Sequence, residues 1–175
     1  MVLIGKLCVP GDKSISHRSL IFGALAKGTS YFEGLSEGDD VKSTARCLRQ
    51  MGVAISHNVQ GQTLVEGVGL DGFQAATAPL DCGNSGTTFR LLMGMLSAQP
   101  FASTLVGDSS LSKRPMTRVS LPLEQIGAKI KLTDERFPPV SISAADTLSG
   151  GHYELPIASA QVKSCLLYTS PSPRD

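Results

Sequence analysis

An eight-residue pattern that occurs twice constrains the fold of this chain more than any other feature. Leu48-Arg-Gln-Met-Gly-Val-Ala-Ile55 returns as Leu123-Glu-Gln-Ile-Gly-Ala-Lys-Ile130. In both copies, apolar residues at helical spacing lead to a glycine, Gly52 or Gly127, and glycine is typical of the position just after a helix. The pattern beyond each glycine is short and β-like. Either the chain contains an internal repeat, or two unrelated helices both stop at glycine.

The segments that precede the two copies also correspond, which favours the repeat. Gly11-Asp-Lys-Ser14 comes before an apolar helix predicted over Leu20 to Ala26, and Gly83-Asn-Ser-Gly-Thr-Thr88 comes before one that contains Arg90 and Leu96. The period of roughly 70–75 residues exceeds that of the usual solenoid repeats, so each copy is predicted to be a small α/β unit.

Each unit is predicted to contain helix, strand, helix, strand and one or two further strands, with helices packed on sheet. The predicted fold class is therefore α/β (α+β). Asp39 or Asp40 would cap the helix predicted over Val41 to Met51. The predicted strands are Thr29–Glu33, Val53–His57 and Thr63–Glu66 in the first copy, Phe101–Val106, Lys129–Leu132 and Val140–Ser143 in the second, and Leu3–Val9 and Tyr153–Ile157 before the turns.

A third unit is predicted to open at Ala158-Ser-Ala-Gln-Val-Lys-Ser164 and to continue as a helix. The residues after Leu167 do not fit a helix, because Pro171 and Pro173 exclude a helix interior. We therefore expect two units, over about residues 10–80 and 81–157, and a third that is cut short at 158–164. Residues 165–175 are expected to be a non-native tail.

The composition argues against several classes of function. A net charge of +1 gives no bulk attraction to nucleic acid or to a membrane surface, and 5% aromatic residues without tryptophan argue against a stacking platform for nucleic acid. The four cysteines form no CxxC pair and only three histidines are present, so no metal, no cofactor and no disulfide is predicted. No signal peptide and no membrane span are recognisable, and we expect a cytoplasmic protein with free thiols.

The stretch from Pro10 to Arg18 carries the strongest local indication of function. A glycine turn there delivers a lysine, two serines, a histidine and an arginine to the start of a helix. Helix N-termini carry unpaired N–H groups and partial positive charge, so basic side chains at that place favour an anionic ligand. The alternative is an ordinary surface turn capped by Ser14 or Ser16.

Five blocks spread over residues 10–164 together form a specific signature. They are Pro10-Gly-Asp-Lys-Ser-Ile-Ser-His-Arg18, Asp81-Cys-Gly-Asn-Ser-Gly-Thr-Thr-Phe-Arg90, Gly107-Asp-Ser-Ser110, Arg114-Pro-Met116 and Ala158-Ser-Ala-Gln-Val-Lys-Ser164. In order and spacing they resemble the N-terminal part of the 3-phosphoshikimate 1-carboxyvinyltransferase (EPSP synthase) family. The resemblance implies two similar domains, each of three βαβαββ units, with the active site between them. Residues 1–164 would be part of the first domain, and the second domain would be absent.

The resemblance also implies an activity. The family transfers the enolpyruvyl group of phosphoenolpyruvate to the 5-hydroxyl of shikimate 3-phosphate and releases phosphate, in the shikimate pathway to chorismate and the aromatic amino acids. Its site must hold two phosphates and two carboxylates close together, so several fixed cations and donors are needed to offset their repulsion. The expected partners are these two small molecules, without nucleic acid or membrane, and the full-length enzyme is expected to be a monomer.

The opening motif matches the family's substrate-binding residues. The resemblance implies that Lys13 contacts both substrates and that Ser14 and Arg18 bind shikimate 3-phosphate, with Arg18 on its carboxylate. His17 is expected to be a packing or hydrogen-bonding neighbour of the site and not a proton donor. The simpler alternative for Lys13 and Arg18 is a pair of solvated charges.

The later blocks supply the other implied site residues. Gly86 would leave room for phosphoenolpyruvate beside the backbone, since it has no side chain, and Arg114 would bind that substrate. Ser159, Ala160 and Gln161 would contact the phosphate of shikimate 3-phosphate, and Gln161 would reach phosphoenolpyruvate as well. Three helix starts would then point at one ligand site.

The sequence leaves the roles of several other residues undecided. Thr87 and Arg90 are ambiguous, because a threonine at a helix start is often a cap. Lys163 could add positive charge to the cleft. His57 and His152 lie in polar, loop-like sequence, and no role is assigned to them.

The chain also departs from the family pattern. Family members are more than twice as long, and their acid/base carboxylates lie in the second half, so we expect no catalytic residue here and no turnover by this chain alone. One alternative is the related enolpyruvyl transferase that acts on UDP-N-acetylglucosamine. It carries a reactive cysteine in the loop where this chain has Ser109 to Arg114. The other alternative is an anion-binding fragment without catalysis.

Overall fold

The fold was obtained as a computed structural model of the 175-residue chain, and the structure describes residues 9–145, 148–149, 154 and 159–167. Its helices are α1 (Lys13–Leu25), α2 (Asp39–Gln50), α3 (Gly86–Ser97), α4 (Thr117–Gln125) and α5 (Ala160–Leu167). Its strands are β1 (Lys27–Phe32), β2 (Ala54–His57), β3 (Thr63–Val68), β4 (Leu80–Asp81), β5 (Ser103–Val106), β6 (Ile130–Thr133) and β7 (Phe137–Ile142). A short 3₁₀ helix spans Leu111–Lys113.

The two sheets repeat one topology. The first sheet has the order β1-β3-β2, and both pairings are antiparallel. The second has the order β4-β5-β7-β6, in which β5-β7-β6 repeats the first sheet strand for strand. The additional strand β4 pairs in parallel with β5. The helices follow the same scheme, since α1 and α2 flank β1 as α3 and α4 flank β5, so the predicted repeat and α/β fold class are confirmed.

The ends of the helices follow from local sequence, although the cap predicted for α2 is wrong and the serine cap considered as an alternative for α1 does not form. Asp12 caps α1 by accepting a hydrogen bond from the N–H of Ile15 at 2.7 Å, and neither Ser14 nor Ser16 has that role. Gly38, and neither Asp39 nor Asp40, is the N-cap of α2. The two aspartates instead fill the first turn of α2, where the helix dipole favours negative charge.

The two glycines of the repeat have the backbone conformation that the sequence indicates. Gly52 follows α2 with φ 91° and Gly127 follows α4 with φ 104°, both in the left-handed region that glycine adopts without steric cost. This region lets the chain turn sharply from the helix into the next strand of the sheet.

The strand predictions are largely confirmed, with small shifts of the ends. β4 is absent from the prediction, and β7 begins at Phe137, three residues before the predicted Val140. Pro138 and Pro139 lie in that early part, and the pairing of β7 with β6 skips both of them, because proline offers no N–H to a ladder. The predicted strand residues 3–8, and 153–157 apart from Glu154, lie outside the described residues.

The core is built around α3. Every residue from Leu91 to Ser97 is buried, which identifies α3 as a helix enclosed by its neighbours. α5 packs directly on it: a Cβ atom at Gly94 would overlap the carbonyl oxygen of Cys165, so only glycine permits this approach. The third unit therefore begins as a helix, as predicted, and that helix reaches Leu167, three residues beyond Ser164. None of the described helices is both long and apolar enough to cross a membrane.

Candidate functional site

The starts of α1, α3 and α5 carry the predicted binding motifs. None of the three has an Asp or Glu in its first turn, although the Asp12 carboxylate caps α1, and α4 likewise has no acidic residue there. α1 instead begins with Lys13, a cation at the positive end of the helix dipole, where it is unfavourable. The predicted helix at Leu20 in fact begins here, so the opening motif lies inside the first turns of α1 and not in a loop before it. Unpaired N–H groups and cations together make these helix starts suitable for anions.

Lys13 is held by the first turn of α2. Its Nζ atom lies 2.7 Å from Oδ2 of Asp40, although 56% of the Lys13 side chain is exposed. Asp40 is 27 residues away in the sequence, and it was not among the predicted site residues. A substrate that binds Lys13 would therefore share it with this carboxylate.

Arg18 joins α1 to α5. Its Nε and Nη2 atoms donate to Oγ of Ser164 at 3.2 and 2.9 Å, and its Nη1 donates to the carbonyl of Ser14 at 3.1 Å. The Ser164 hydroxyl in turn donates to the carbonyl of Ala160, which leaves its lone pairs for Arg18. The first and third units thus meet at the Arg18 guanidinium.

Ser159, Ala160 and Gln161 lie at the start of α5, where the motif predicts them. The Ser159 hydroxyl accepts a hydrogen bond from the N–H of Val162 at 3.3 Å and so caps the helix. Ala160 is exposed and Gln161 is half-buried. The links from Arg18 to Ser164 and from Cys165 Sγ to the Arg90 carbonyl, at 2.9 Å, hold this helix start beside α1 and α3.

Gly86 faces two arginines. A Cβ atom built on Gly86 would lie 2.7 Å from Nη1 of Arg90 and 3.5 Å from Nη1 of Arg114. Within the part of the chain that the structure describes, Arg90 donates two long hydrogen bonds, to the carbonyls of Gly86 at 3.3 Å and Pro115 at 3.4 Å. Burial lowers the pKa of Arg90, and the positive charges of Arg114 and Arg118 lower it further. Arg90, ambiguous in the sequence, therefore lies beside two of the predicted residues.

Arg114 is aimed by a side-chain relay. Its Nη2 donates to Oδ1 of Asn84 at 2.7 Å, and Asn84 Nδ2 donates to Oδ2 of Asp108 at the same distance. The other oxygen of Asp108 accepts from the N–H groups of Ser110 and Leu111. These bonds, that from Asn84 above all, lower the pKa of the Asp108 carboxyl.

A buried chain of hydrogen bonds connects α1, α2 and the start of α3. Nδ1 of His17 lies 2.7 Å from the hydroxyl of Thr44, which lies 2.7 Å from the hydroxyl of Thr88. Thr88 reaches Oγ of Ser85, the N-cap of α3, and the carbonyl of Asp40 in α2. Burial lowers the pKa of His17 to about 4, so it is neutral at physiological pH and unsuited to donate a proton.

The electrostatics of the site favour an anion. Over the described ranges, the ion pairs are Lys13–Asp40 and Arg46–Asp81, so Arg18, Arg90 and Arg114 have no carboxylate partner there. Three arginines without a directly ion-paired carboxylate produce a local positive potential, despite the net charge of only +1, although Asp108 lies near Arg114 through Asn84. Together these residues can bind several phosphate or carboxylate groups.

A well-formed cavity lies away from these residues. It has a volume of about 360 Å³ and lies between α2 and the first sheet, against Val41, Ala45 and Ile55. None of the eight predicted site residues lines it. The site is therefore recognised by the chemistry of its side chains and not by this cavity.

Comparison with known proteins gives a consistent result. Residues 2–172 match the family model for EPSP synthase (3-phosphoshikimate 1-carboxyvinyltransferase). The chain is 54% identical to a 3-phosphoshikimate 1-carboxyvinyltransferase of Xylella fastidiosa and 52% identical to one of Xanthomonas campestris, over 94% of this chain and 36% and 38% of those proteins. An EPSP synthase structure from Acinetobacter baumannii superposes with a TM-score of 0.90 at 51% identity, over 94% of this chain and 37% of that one. The chain thus spans little more than a third of the length of these relatives.

Proposed function

Because the chain belongs to the EPSP synthase (3-phosphoshikimate 1-carboxyvinyltransferase) family, we propose that it supplies the N-terminal part of the substrate site of such an enzyme. In the proposed reaction, the 5-hydroxyl oxygen of shikimate 3-phosphate bonds to the central carbon of phosphoenolpyruvate. The C–O bond to phosphate then breaks, and inorganic phosphate leaves. The hydroxyl proton is lost, while the vinyl carbon gains a proton and later returns one.

The observation that carries this proposal is the meeting of three helix starts around cations, of which Lys13 is paired with Asp40 while Arg18 and Arg114 have no ion-paired carboxylate among the described residues. Lys13, Arg18 and Arg114 lie at or near the starts of α1 and α3, and Ser164 of α5 bonds to Arg18. Two substrates that together carry two phosphates and two carboxylates need such a set of cations. The observed arrangement suits that demand better than it suits a single small anion.

The roles proposed for the individual residues follow their positions. Arg18, with its guanidinium fixed by the Ser14 carbonyl and Ser164, would take the carboxylate of shikimate 3-phosphate. The start of α5, at Ser159, Ala160 and Gln161, would take its phosphate. These residues are fixed by neighbours within the chain, which limits the entropy lost on binding.

The phosphoenolpyruvate side would be formed by Gly86, Arg90 and Arg114. The missing side chain at Gly86 leaves room in front of Arg90, and Asn84 holds Arg114 in its direction. Lys13 would lie between the two substrates, since its side chain is 56% exposed although its ammonium is paired with Asp40. Arg90 is added here to the residues that the sequence motifs suggested.

The remaining parts of the proposal concern the whole enzyme. Asp40 and Asp108 already bind a cation or N–H donors, so the groups that move protons would come from the other part of a full-length enzyme, across the cleft. The two units and the opening of a third would form one domain. A cytoplasmic monomer without cofactor is the setting that we propose for it.

A hybrid enzyme tests the proposal. Residues 9–164 of this chain would replace the matching segment of the Acinetobacter baumannii EPSP synthase, and the product would be assayed for phosphate release from the two substrates. We expect turnover, growth of a strain that requires aromatic amino acids, and a loss of turnover of at least about 100-fold in Lys13→Met and Arg18→Ala, since each removes a charged contact.

Two controls accompany the hybrid enzyme. Arg46→Ala, which breaks the other ion pair, should keep the activity of the parent. The 175-residue chain on its own should release no phosphate, while it retains weak binding of shikimate 3-phosphate. Turnover on UDP-N-acetylglucosamine, or a well-folded hybrid without activity on shikimate 3-phosphate, would contradict the proposal.

A further inference from the structure

The buried chain from His17 to Thr88 has a direction that can be deduced from its protons. The Thr88 hydroxyl has one proton, which is shared between two acceptors, Oγ of Ser85 (2.7 Å) and the carbonyl oxygen of Asp40 (3.1 Å), and a carbonyl can only accept. Toward Thr44, Thr88 is therefore the acceptor, and the single proton of the Thr44 hydroxyl is used on Thr88. His17 must then donate to Thr44 through Nδ1–H.

The other ring nitrogen of His17 agrees with this assignment. Nε2 is buried and has no hydrogen-bond partner among the described residues. A buried N–H without an acceptor is rarer than a buried acceptor without a donor. The neutral ring with its proton on Nδ1 leaves only a lone pair unsatisfied at Nε2, whereas the other tautomer would leave an N–H unsatisfied.

The chain ends at two places that matter for the site. Asp40 lies in the first turn of α2 and holds Lys13, and Ser85 is the N-cap immediately before Gly86. All four residues that form the chain, His17, Thr44, Thr88 and Ser85, are at most 1% exposed. Because hydrogen bonds in such surroundings are strong and directional, the chain fixes the starts of α2 and α3 relative to α1.

We propose that His17 is a positioning residue, which acts through Thr44 and Thr88 to hold Asp40 against Lys13 and Gly86 beside its two arginines. In this proposal His17 contacts neither substrate, and its function is to fix the starts of α2 and α3 relative to α1. The inference rests on the proposed function in one respect, namely that Lys13 and Gly86 border the substrates.

A protonated, charged His17 could not position the starts of α2 and α3 in this way. The groups that face it are Lys13 and Arg18 from α1 and Asp40 from α2, and burial outweighs the attraction to Asp40, so the ring remains neutral. A second proton on the ring would place a donor at Nε2, where the described residues offer no acceptor. Position 17 therefore requires a neutral imidazole or an amide side chain, and a permanently charged side chain could not replace His17.

The first test is independent of substrate. Long-range ¹H–¹⁵N NMR spectra of the complete 175-residue chain at pH 7 should show His17 protonated at Nδ1 and unprotonated at Nε2. The Lys13 ammonium signal should be that of an ordered ion pair, and Thr44→Val should make it mobile. His17 in the Nε2–H form, or an unchanged Lys13 signal in Thr44→Val, would overturn the inference.

The second test uses the hybrid enzyme and separates KM from kcat. Thr44→Val and His17→Ala should raise KM for the substrates about fivefold to tenfold with kcat changed less than about threefold, because binding geometry and not the chemical step is lost. His17→Asn should restore most of the affinity, since its amide N–H can replace Nδ1–H as donor to Thr44.

Thr63→Val is the matched control. Thr63 is also a buried threonine whose hydroxyl contacts a histidine Nδ1, that of His57 at 3.3 Å, but it lies in β3 of the first sheet. It should leave KM unchanged, and equal effects of Thr63→Val and Thr44→Val would show a purely structural role. If the parent hybrid has no activity, the proposed function fails, while the NMR test still decides on His17.

Discussion

Gly86 and Arg90 are one helical turn apart, and the guanidinium of Arg90 folds back over the position where Gly86 lacks a side chain. A Cβ atom there would lie 2.7 Å from Nη1 of Arg90, closer than such atoms approach in proteins. The atom in the way is the end of a flexible side chain, so an added methyl group would move Arg90 without preventing folding.

Gly86→Ala is therefore expected to weaken the binding of phosphoenolpyruvate more than that of shikimate 3-phosphate. In the hybrid enzyme, KM for phosphoenolpyruvate should rise about tenfold, or about 1.4 kcal/mol, while KM for shikimate 3-phosphate changes less than twofold. Steady-state kinetics with each substrate varied in turn give both values. Gly38→Ala is the control, because its Cβ would meet only Oγ of Ser36 at 3.5 Å. Equal losses for both substrates would contradict the assignment of Gly86.

The relay from Asp108 to Arg114 makes a second prediction. Asn84→Ala removes the 2.7 Å acceptor of Arg114 and leaves its guanidinium with Ser110 Oγ at 3.4 Å. We expect KM for phosphoenolpyruvate to rise about fivefold, from the loss of one charge-assisted hydrogen bond. The same variant should raise the pKa of Asp108, which Asn84 holds down, and a ¹³C titration of that carboxyl measures it. An unchanged pKa would show that the relay does not form in solution.

The contact of α3 with α5 predicts a change of stability whose sign is informative. Glycine to alanine inside a helix normally stabilises by about 1 kcal/mol. At Gly94 the new methyl group would overlap the Cys165 carbonyl, which belongs to the backbone and cannot swing aside. Gly94→Ala should therefore destabilise the chain by about 1–3 kcal/mol, as overpacked cores do, and thermal unfolding by calorimetry tests this. A raised Tm would mean that α5 does not dock as described.

The neutral state of His17 predicts a dependence of stability on pH. Its pKa falls from an ordinary 6.5 to about 4 in the folded chain, first because of burial and then because of Lys13 and Arg18. Above pH 6.5 both folded and unfolded states are neutral, and the stability is full. As pH falls from 6.5 to 4, the unfolded chain takes up the proton first, so about 3 kcal/mol should be lost in that window.

His17→Asn should remove most of this pH dependence. Denaturant unfolding between pH 4 and 7 gives the comparison, and a parallel loss in both proteins would contradict it. The measurement is best made with Glu124→Gln in both proteins, because burial raises the pKa of Glu124 and that shift acts with the opposite sign. Asp108, with its lowered pKa, loses its contribution only below the window.

Much of the fold followed from local patterns. Helical spacing identified α2, and the glycines after α2 and α4 marked their ends, because both positions need the left-handed backbone conformation. β4 escaped prediction since Leu80 and Asp81 are too few to show a period. The true caps, Asp12 and Ser85, could not be separated from nearby serines and threonines, which have the same capping chemistry.

The site was predictable only in part, and the reason is distance along the chain. Lys13, Arg18 and Gly86 stood out because their motifs are contiguous, and their proposed roles stay predictions. Asp40 and Thr88 gave no signal, since their partners lie 27 and 44 residues away and meet them only after packing. Arg90 stayed ambiguous because its value to the site arises from its approach to Gly86 across one turn of α3.

The bond from Arg18 to Ser164 spans 146 residues. A ribosome makes the first of these residues long before the second, at about 5–20 residues per second. Throughout that interval the Arg18 side chain has no Ser164 to bind, while the strands of the first unit can already pair into their sheet. The corner at which Arg18 of α1 meets Ser164 of α5 is thus the last piece of this part of the protein to assemble, and a nascent chain stalled before Ser164 would carry the opening motif without this contact.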